Sequence, residues 1–243
     1  MGTLAVRGPW LLALLLVAAS ARAAEPELHL LTEQNPPFNM LVDGKVVGVA
    51  TDKVRAMLER SGIRYDIELL PWKRAMEIAG QQGNACVYAA ARRPEREARF
   101  KWVGPLAYDL WAFFGRSDRN YKLDKLDDAH AYTIGTYNGD VRDSFLRAKG
   151  FEVETAMDDE MNPRKLMAGR IGLWAASKTR GEDMLVKAGL DQQISALFTF
   201  YKADLYLACN LQVDDALISR LGEALGKMKQ DGTAAAIEDK YLH

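Results

Sequence analysis

The chain has 243 residues, of which 27% are charged and 49% are hydrophobic, and its formal net charge at pH 7 is −1. A chain of this length can bury one large hydrophobic core or two modest ones. The near-neutral charge, without an acidic or basic tail, argues against nucleic acid as a partner.

The N-terminus has the pattern of a secretory signal peptide. Arg7 is the only charge before the apolar run 10–19, and the small residues 20–23 follow that run. The run is too short for a stable membrane anchor, which is the alternative interpretation, and the small residues predict cleavage after Ala23. No cysteine stands at the cleavage site, which argues against a lipid anchor. We predict a signal peptide over residues 1–23 and a periplasmic protein.

Strands and helices alternate through the first half of the chain. The expected strands are 28–32, 65–69 and 85–89, and the expected helices begin near Thr51–Asp52 and at Pro71. Such alternation predicts a parallel sheet covered by helices, and therefore an α/β fold.

Three loops follow the carboxyl ends of these strands, which is where α/β sheets bind ligands. The loop 33–38 contains two prolines and carries Phe38 as an apolar tip, Pro71-Trp72 opens the second helix, and three arginines follow the third strand. Arginine can hold a carboxylate through two parallel hydrogen bonds, so this edge of the sheet suits an anion. The alternative is a basic surface loop that is simply solvated.

A second α/β unit follows the first. The dipeptide Gly104-Pro105 predicts a turn, and the apolar segment 106–115 suits a strand that crosses into the new unit. Further strands are expected at 132–136, 151–155, 171–175, 194–198 and 205–210. An amphipathic helix is expected from Asp214 onward. No low-complexity linker separates the two units, so strands are expected to join them.

The cysteines and histidines give little support to a metal or redox site. Cys86 and Cys209 lie far apart in apolar strand-like segments, and we favour two buried thiols over a disulfide. The three histidines are isolated and there is no CxxC motif. We therefore expect no metal and no cofactor.

Four segments, in this order, resemble the family 3 extracellular solute-binding proteins, the periplasmic receptors of polar amino-acid ABC importers. The resemblance extends over nearly the whole mature chain. The segments are Asn35-Pro36-Pro37-Phe38, Arg93-Pro94-Glu95-Arg96 with Trp102 and Pro105 beyond it, Met167-Ala168-Gly169-Arg170-Ile171, and Lys227-Met228-Lys229-Gln230-Asp231-Gly232-Thr233.

The resemblance implies a type II periplasmic-binding-protein fold, in which two α/β lobes are joined by two crossover strands and a ligand is enclosed as they close. Lobe 1 would comprise residues 24–108 and 205–243, and lobe 2 residues 109–204. The expected function is capture of a small polar solute, an amino acid or related carboxylate, by a monomer that delivers it to a membrane permease.

The resemblance also implies roles for lobe 1 residues. Arg96 matches the arginine that binds the ligand's carboxylate. Asn35 stands where the family has an aromatic residue, so Trp72 or Phe38 would have to supply ring stacking. Ala91 stands where the family has a small hydroxyl residue. Glu33, in the same early loop as Asn35, is a further candidate for the cleft.

In lobe 2 the expected anchor for the ligand's amine is missing, because Ser177 stands at that position. We hypothesise that Asp140 binds the cationic group instead, and the equally weighted alternative is that Asp140 only caps its helix. In a further alternative, Arg92 and Arg93 add anion capacity instead, which would favour a dicarboxylate or another acid.

Two other functions stay open. An enzyme of the same fold, similar to cyclohexadienyl dehydratase, would need an acid or base in the cleft, and Glu33 and Asp140 are the candidates. A ligand-sensing protein would need a separate membrane receptor as its partner. We expect binding without chemistry.

Overall fold

The computed structural model describes residues 1–2 and 28–242. The predicted signal peptide and its cleavage site lie outside the described residues, except for the first two positions. Within residues 28–242 no helix combines the length and apolarity needed to cross a bilayer.

The described chain forms ten strands, eight α-helices and one 3-10 helix. The strands are β1 Leu28–Thr32, β2 Met40–Val42, β3 Lys45–Val47, β4 Tyr65–Leu69, β5 Ala85–Ala91, β6 Lys101–Arg116, β7 Ile134–Tyr137, β8 Val153–Ala156, β9 Leu173–Ser177 and β10 Ile194–Cys209. The helices are α1 Val49–Ser61, α2 Trp72–Gln81, α3 Pro94–Glu97, α4 Val141–Arg147, α5 Met161–Met167, α6 Lys178–Ala188, α7 Asp215–Gln230 and α8 Thr233–Leu242, with the 3-10 helix at Leu126–Ala131.

Eight of the strands form one sheet in the order β4-β1-β5-β10-β6-β9-β7-β8. On one side β1 runs parallel to β4 and β5, and on the other side β7 runs parallel to β8 and β9. The central strands β6 and β10 are antiparallel to each other along their length. Strand–helix alternation produces a parallel group on each side, as the sequence predicts.

The two central strands are longer than expected. Each has 16 residues, whereas the sequence predicts a shorter first strand and divides the second into two pieces. The predicted turn at Gly104-Pro105 is wrong, because both residues lie inside β6. The register between β6 and β10 shifts between Leu205 and Leu207, opposite this dipeptide. A bulge of this kind lets a proline, which has no amide hydrogen, remain within a strand.

Helix α1 begins two residues before the predicted Thr51–Asp52 start, at Val49. Its N-cap is Gly48, with φ of 128°, and a Cβ on this residue would meet the carbonyl oxygen of Phe38. Glycine is required there by both the backbone angle and the close approach of the loop. The predicted cap at Thr51 or Asp52 is therefore wrong, because both residues already lie inside the helix.

The prediction of two free thiols is wrong, because Cys86 and Cys209 form a disulfide. The two residues are direct partners in the antiparallel pairing of β5 with β10. Their separation of 123 residues in the chain hides this adjacency, which arises only when β10 returns to the first side of the sheet.

Candidate functional site

A cavity of about 520 Å³ lies where loops from the two sides of the sheet face each other. Glu33 and Trp72 line it from the first side, and Tyr137, Asp159 and Arg180 line it from the second. A larger groove of about 690 Å³ between α5 and α6 is lined by none of the predicted site residues. The loops after β1, β4, β7, β8 and β9 therefore bring their ends to one place, as expected for an α/β sheet.

Arg96 is a buried guanidinium whose Nη1 atom has no hydrogen-bond partner. It lies on the short helix α3, which the sequence did not predict, and only 8% of the residue is exposed. Its Cζ lies 5.9 Å from the centre of the Trp72 ring. Burial lowers the pKa of Arg96 from its usual value, because the charged form is held away from water. A buried cation of this kind favours an anionic partner such as a carboxylate.

The two neighbouring arginines both contact other side chains of the protein. Arg92 donates hydrogen bonds from Nε and Nη2 to the Glu97 carboxylate, and its side chain is 39% exposed. Arg93 donates a hydrogen bond to the Tyr201 hydroxyl at 2.8 Å, and its guanidinium stacks over the ring of Phe145. Arg92 is therefore taken by Glu97, whereas Arg93 keeps one buried nitrogen, Nε, without a hydrogen-bond partner, at 3.7 Å from Glu95 Oε1.

Glu33 is held by side chains from the other side of the cleft. Arg180 Nη1 donates a hydrogen bond to Glu33 Oε2 at 3.0 Å, and the Tyr137 hydroxyl donates one to Oε1 at 3.0 Å. Burial raises the pKa of the Glu33 carboxyl. The sequence did not single out Arg180, because one arginine near the start of an amphipathic helix looks like ordinary surface charge.

Asp140 caps α4, which was the alternative to its hypothesised role as a ligand anchor. Its Oδ1 accepts a hydrogen bond from the Arg142 backbone N–H at 2.9 Å, and its Oδ2 pairs with Arg142 Nε at 2.8 Å. Burial raises the pKa of Asp140. The carboxylate that the sequence offered to a ligand is thus paired with an arginine of the chain itself.

Ser177 has a carboxylate beside it after all, supplied by a different strand. The Ser177 hydroxyl donates a hydrogen bond to Asp109 Oδ1 at 2.6 Å, and Asp109 Oδ2 lies 3.8 Å from Arg142 Nη1. Burial raises the pKa of Asp109 to about 6. The sequence contains a clue to this carboxylate, since Asp109 is the one charged residue in the apolar segment 106–115.

Asp159 is a buried carboxylate with one satisfied and one unsatisfied oxygen. Its Oδ1 accepts hydrogen bonds from Trp174 Nε1 at 2.8 Å and from Asn162 Nδ2 at 3.0 Å. Its Oδ2 has no hydrogen-bond partner, and the nearest cation is Arg180, whose Nε lies 3.9 Å away. The sequence did not identify this residue either.

The remaining predicted site residues, Phe38, Asn35 and Ala91, are all buried. Phe38 packs in the hydrophobic core, with only 3% exposed, so the expected apolar loop tip was wrong. Asn35 is buried, forms a backbone bridge to Asn39, and has an unpartnered Oδ1. Ala91 is the buried last residue of β5. Among the described residues no cluster of acidic, cysteine and histidine side chains suits a metal ion.

Known proteins share this sequence pattern and architecture. The model of the bacterial extracellular solute-binding proteins, family 3, matches residues 28–243. The protein named "Probable amino-acid-binding protein YxeM" of Bacillus subtilis (strain 168) is 22% identical over 231 residues, which cover 93% of this chain and 87% of that protein.

Two solved structures have a similar fold. A histidine kinase sensor domain with similarity to periplasmic binding proteins gives a TM-score of 0.79 at 18% identity, covering 89% of this chain and 96% of that one. An ancestral arginine-binding protein bound to arginine gives a TM-score of 0.76 at 17% identity, covering 90% of this chain and 99% of that one. The fold is the α/β type II fold of periplasmic binding proteins.

Proposed function

The chain belongs to the bacterial extracellular solute-binding proteins of family 3, and from this premise we propose that it captures an amino acid or a related small carboxylate for an ABC importer. Arg96 carries the proposal, because its buried Nη1 lacks a hydrogen-bond partner. A ligand carboxylate would give this cation a charge-assisted hydrogen bond and offset the cost of its burial.

In this proposal the solute lies between two lobes, residues 24–108 with 205–243 and residues 109–204. The lining of the cavity by loops from both sides of the sheet supports this division. Strands β6 and β10 are the connections about which the lobes close over the solute. The protein would be exported by its signal peptide and act as a monomer in the periplasm.

Binding without chemistry is the mode that the charges favour. Catalysis would require an acid or base able to exchange a proton with the solute. Glu33 and Asp140, the two acid–base candidates, are each paired with an arginine, Arg180 and Arg142. A carboxylate that is paired with an arginine is poorly placed to exchange a proton with the solute. We therefore propose that the solute leaves the cleft unchanged.

Thermal unfolding of the mature protein against amino acids, polyamines and dicarboxylates tests this function. A solute at a hundred times its dissociation constant adds about 2.7 kcal/mol to the free energy of unfolding. We expect such a shift with at least one amino acid, its loss in Arg96→Ala, and its retention in Arg92→Ala. If no amino acid or carboxylate shifts the native protein, the proposed function is wrong.

Delivery to an importer needs a separate measurement, because a histidine kinase sensor domain shares this fold. Crosslinking of the ligand-loaded protein to membranes, followed by mass spectrometry, should recover a permease. Recovery of a receptor kinase alone would instead support sensing.

A further inference from the structure

We propose that Asp159, together with Glu33, forms a subsite for a second cationic group, so that the solute is an amino acid with a positively charged side chain. This inference rests on the proposed function, since it assumes that a solute binds in this cleft. The unbalanced charges of the cleft indicate the class of that solute.

The first observation is the position of Asp159. Only 1% of the residue is exposed, it lines the cavity, and its Oδ2 has no hydrogen-bond partner. Its other oxygen is fixed by Trp174 and Asn162, which prevents the carboxylate from turning away. A buried carboxylate oxygen without a partner is costly, and an ammonium or guanidinium group from a ligand would satisfy it.

The second observation is the number of carboxylates that share each arginine. Arg180 lies between Glu33 and Asp159, with its nitrogens 3.0 Å and 3.9 Å from their oxygens. One cation therefore serves two carboxylates, which leaves this part of the cleft with net negative charge. A ligand cation would restore the balance, whereas a second ligand carboxylate would add repulsion.

The same imbalance recurs among buried charges that do not line the cavity but interact with charged groups that do, since Arg142 attracts Glu33 and Asp140 repels Asp159. Arg142 lies between Asp140 and Asp109, at 2.8 Å and 3.8 Å. Arg96, by contrast, has an unpartnered nitrogen. The complement of these groups is a molecule with one carboxylate and two cations, which describes an amino acid whose side chain is also positively charged.

The cavity lining as a whole, with Glu33, Asp159 and Arg180 included, has the same sign. Among the residues that line the cavity, five are acidic and three are basic. A dicarboxylate would need a second guanidinium without a carboxylate beside it, but Arg92 is held by Glu97 and Arg93 Nε lies 3.7 Å from Glu95. The charges around the cleft thus favour a cationic solute over an anionic one.

Calorimetric titration of the native protein with four amino acids tests the inference without any mutation. L-lysine has the terminal ammonium, L-norleucine has the same carbon chain without the ammonium, and L-glutamate has a carboxylate on a shorter chain. L-arginine serves as a second cationic ligand. We expect the better cationic ligand to bind at least tenfold more tightly than norleucine, and glutamate to bind most weakly.

The outcomes separate this inference from the proposed function. Norleucine or glutamate binding as tightly as lysine and arginine would overturn the cationic subsite while leaving amino-acid binding intact. Failure of all four ligands to bind would also overturn the cationic subsite, whereas the proposed function fails only if the wider panel of amino acids and carboxylates leaves the unfolding of the native protein unchanged.

A matched pair of variants tests the residue itself. Asp159→Asn removes the charge but keeps an oxygen acceptor for Trp174 and Asn162. The control Asp118→Asn removes a carboxylate outside the cavity lining, where Asp118 forms an exposed pair with Arg116. We expect Asp159→Asn to lower the affinity for the cationic ligand at least tenfold and that for norleucine less than threefold. Asp118→Asn should change neither by more than threefold. Equal losses of both ligands in Asp159→Asn, or no loss of either, would overturn the assignment.

Discussion

Glu33 and Arg180 are 147 residues apart in the chain, yet Arg180 Nη1 donates a hydrogen bond to the Glu33 carboxylate at 3.0 Å. Glu33 follows β1 on one side of the sheet, and Arg180 lies in the first turn of α6 on the other side. Both side chains are largely buried, at 13% and 11% exposed. The pair is therefore a direct electrostatic connection across the cleft.

We predict that Glu33→Gln lowers the free energy of unfolding by about 2–3 kcal/mol, because it leaves Arg180 buried with only its longer contact to Asp159. A double-mutant cycle with Arg180→Met, followed by urea unfolding, should show a coupling energy above about 0.5 kcal/mol. The exposed pair Arg116–Asp118 provides the control, since Asp118→Asn should cost less than about 1 kcal/mol. Additive effects of the two cleft substitutions would contradict the prediction.

Arg96 should destabilise the ligand-free protein, because its guanidinium is buried with an unpartnered nitrogen. We predict that Arg96→Met raises the free energy of unfolding of the ligand-free protein by about 1–2 kcal/mol, since an apolar side chain of similar length carries no desolvation cost. Chemical unfolding without ligand measures this effect. Arg92→Met, at an exposed ion pair, should shift the value by less than about 1 kcal/mol. A destabilised Arg96→Met protein would show that Arg96 has a structural partner.

Asp109 should make stability depend on pH. In the folded protein its pKa is about 6, because burial disfavours the charged carboxylate beside Ser177 and Arg142, whereas the unperturbed value is 3.8. Between these values unfolding releases a proton, so a rise in pH favours the unfolded chain. The difference of about two pKa units corresponds to about 3 kcal/mol.

Compared with native protein, Asp109→Asn should therefore gain stability as the pH rises from 4 to 6 and keep that gain above pH 6. Urea unfolding of both proteins at pH 4, 5, 6 and 7 measures the difference. The asparagine retains an oxygen to accept the Ser177 hydrogen bond, which makes it a suitable partner for the comparison. A difference that does not change with pH would show that Asp109 is ionised throughout.

The disulfide between Cys86 and Cys209 closes a loop of 123 residues, which restricts the unfolded chain. We predict that reduction lowers the free energy of unfolding by about 2–4 kcal/mol. Thermal unfolding with and without a phosphine reductant tests this, and a Cys86→Ala, Cys209→Ala double variant should show no response to the reductant. Equal stability of the oxidised and reduced native protein would contradict a stabilising role for the disulfide.

Local patterns were sufficient for most of the fold. The alternation of strands and helices predicts the two parallel groups, and the family resemblance singles out Arg96, which the structure shows to be buried. Helix starts and the ends of β6 and β10 were less accurate, because bulges and a glycine N-cap depend on what packs opposite them. The bulge opposite Gly104-Pro105 exists only because β10 returns beside β6.

The site was harder to predict, because its pairs join residues that are far apart in the chain. Asp109 meets Ser177 across two neighbouring strands, and Arg180 meets Glu33 across the cleft. No sequence spacing indicates either pair. The same reason explains the error over Cys86, whose partner lies on the last strand. Asp140 could be recognised locally only as a helix cap, and that role is present.

The return of β10 to β5 has a consequence for the order in which the protein is completed. Helix α1 is covered by α7 and α8, and Asp52 of α1 accepts hydrogen bonds from Lys240 and Tyr241 near the end of the chain. A growing chain that has reached residue 204 would still lack the strand beside β5 and the helices over α1. The part that is synthesised first is thus finished last, so a ribosome must release the whole chain before that part can close.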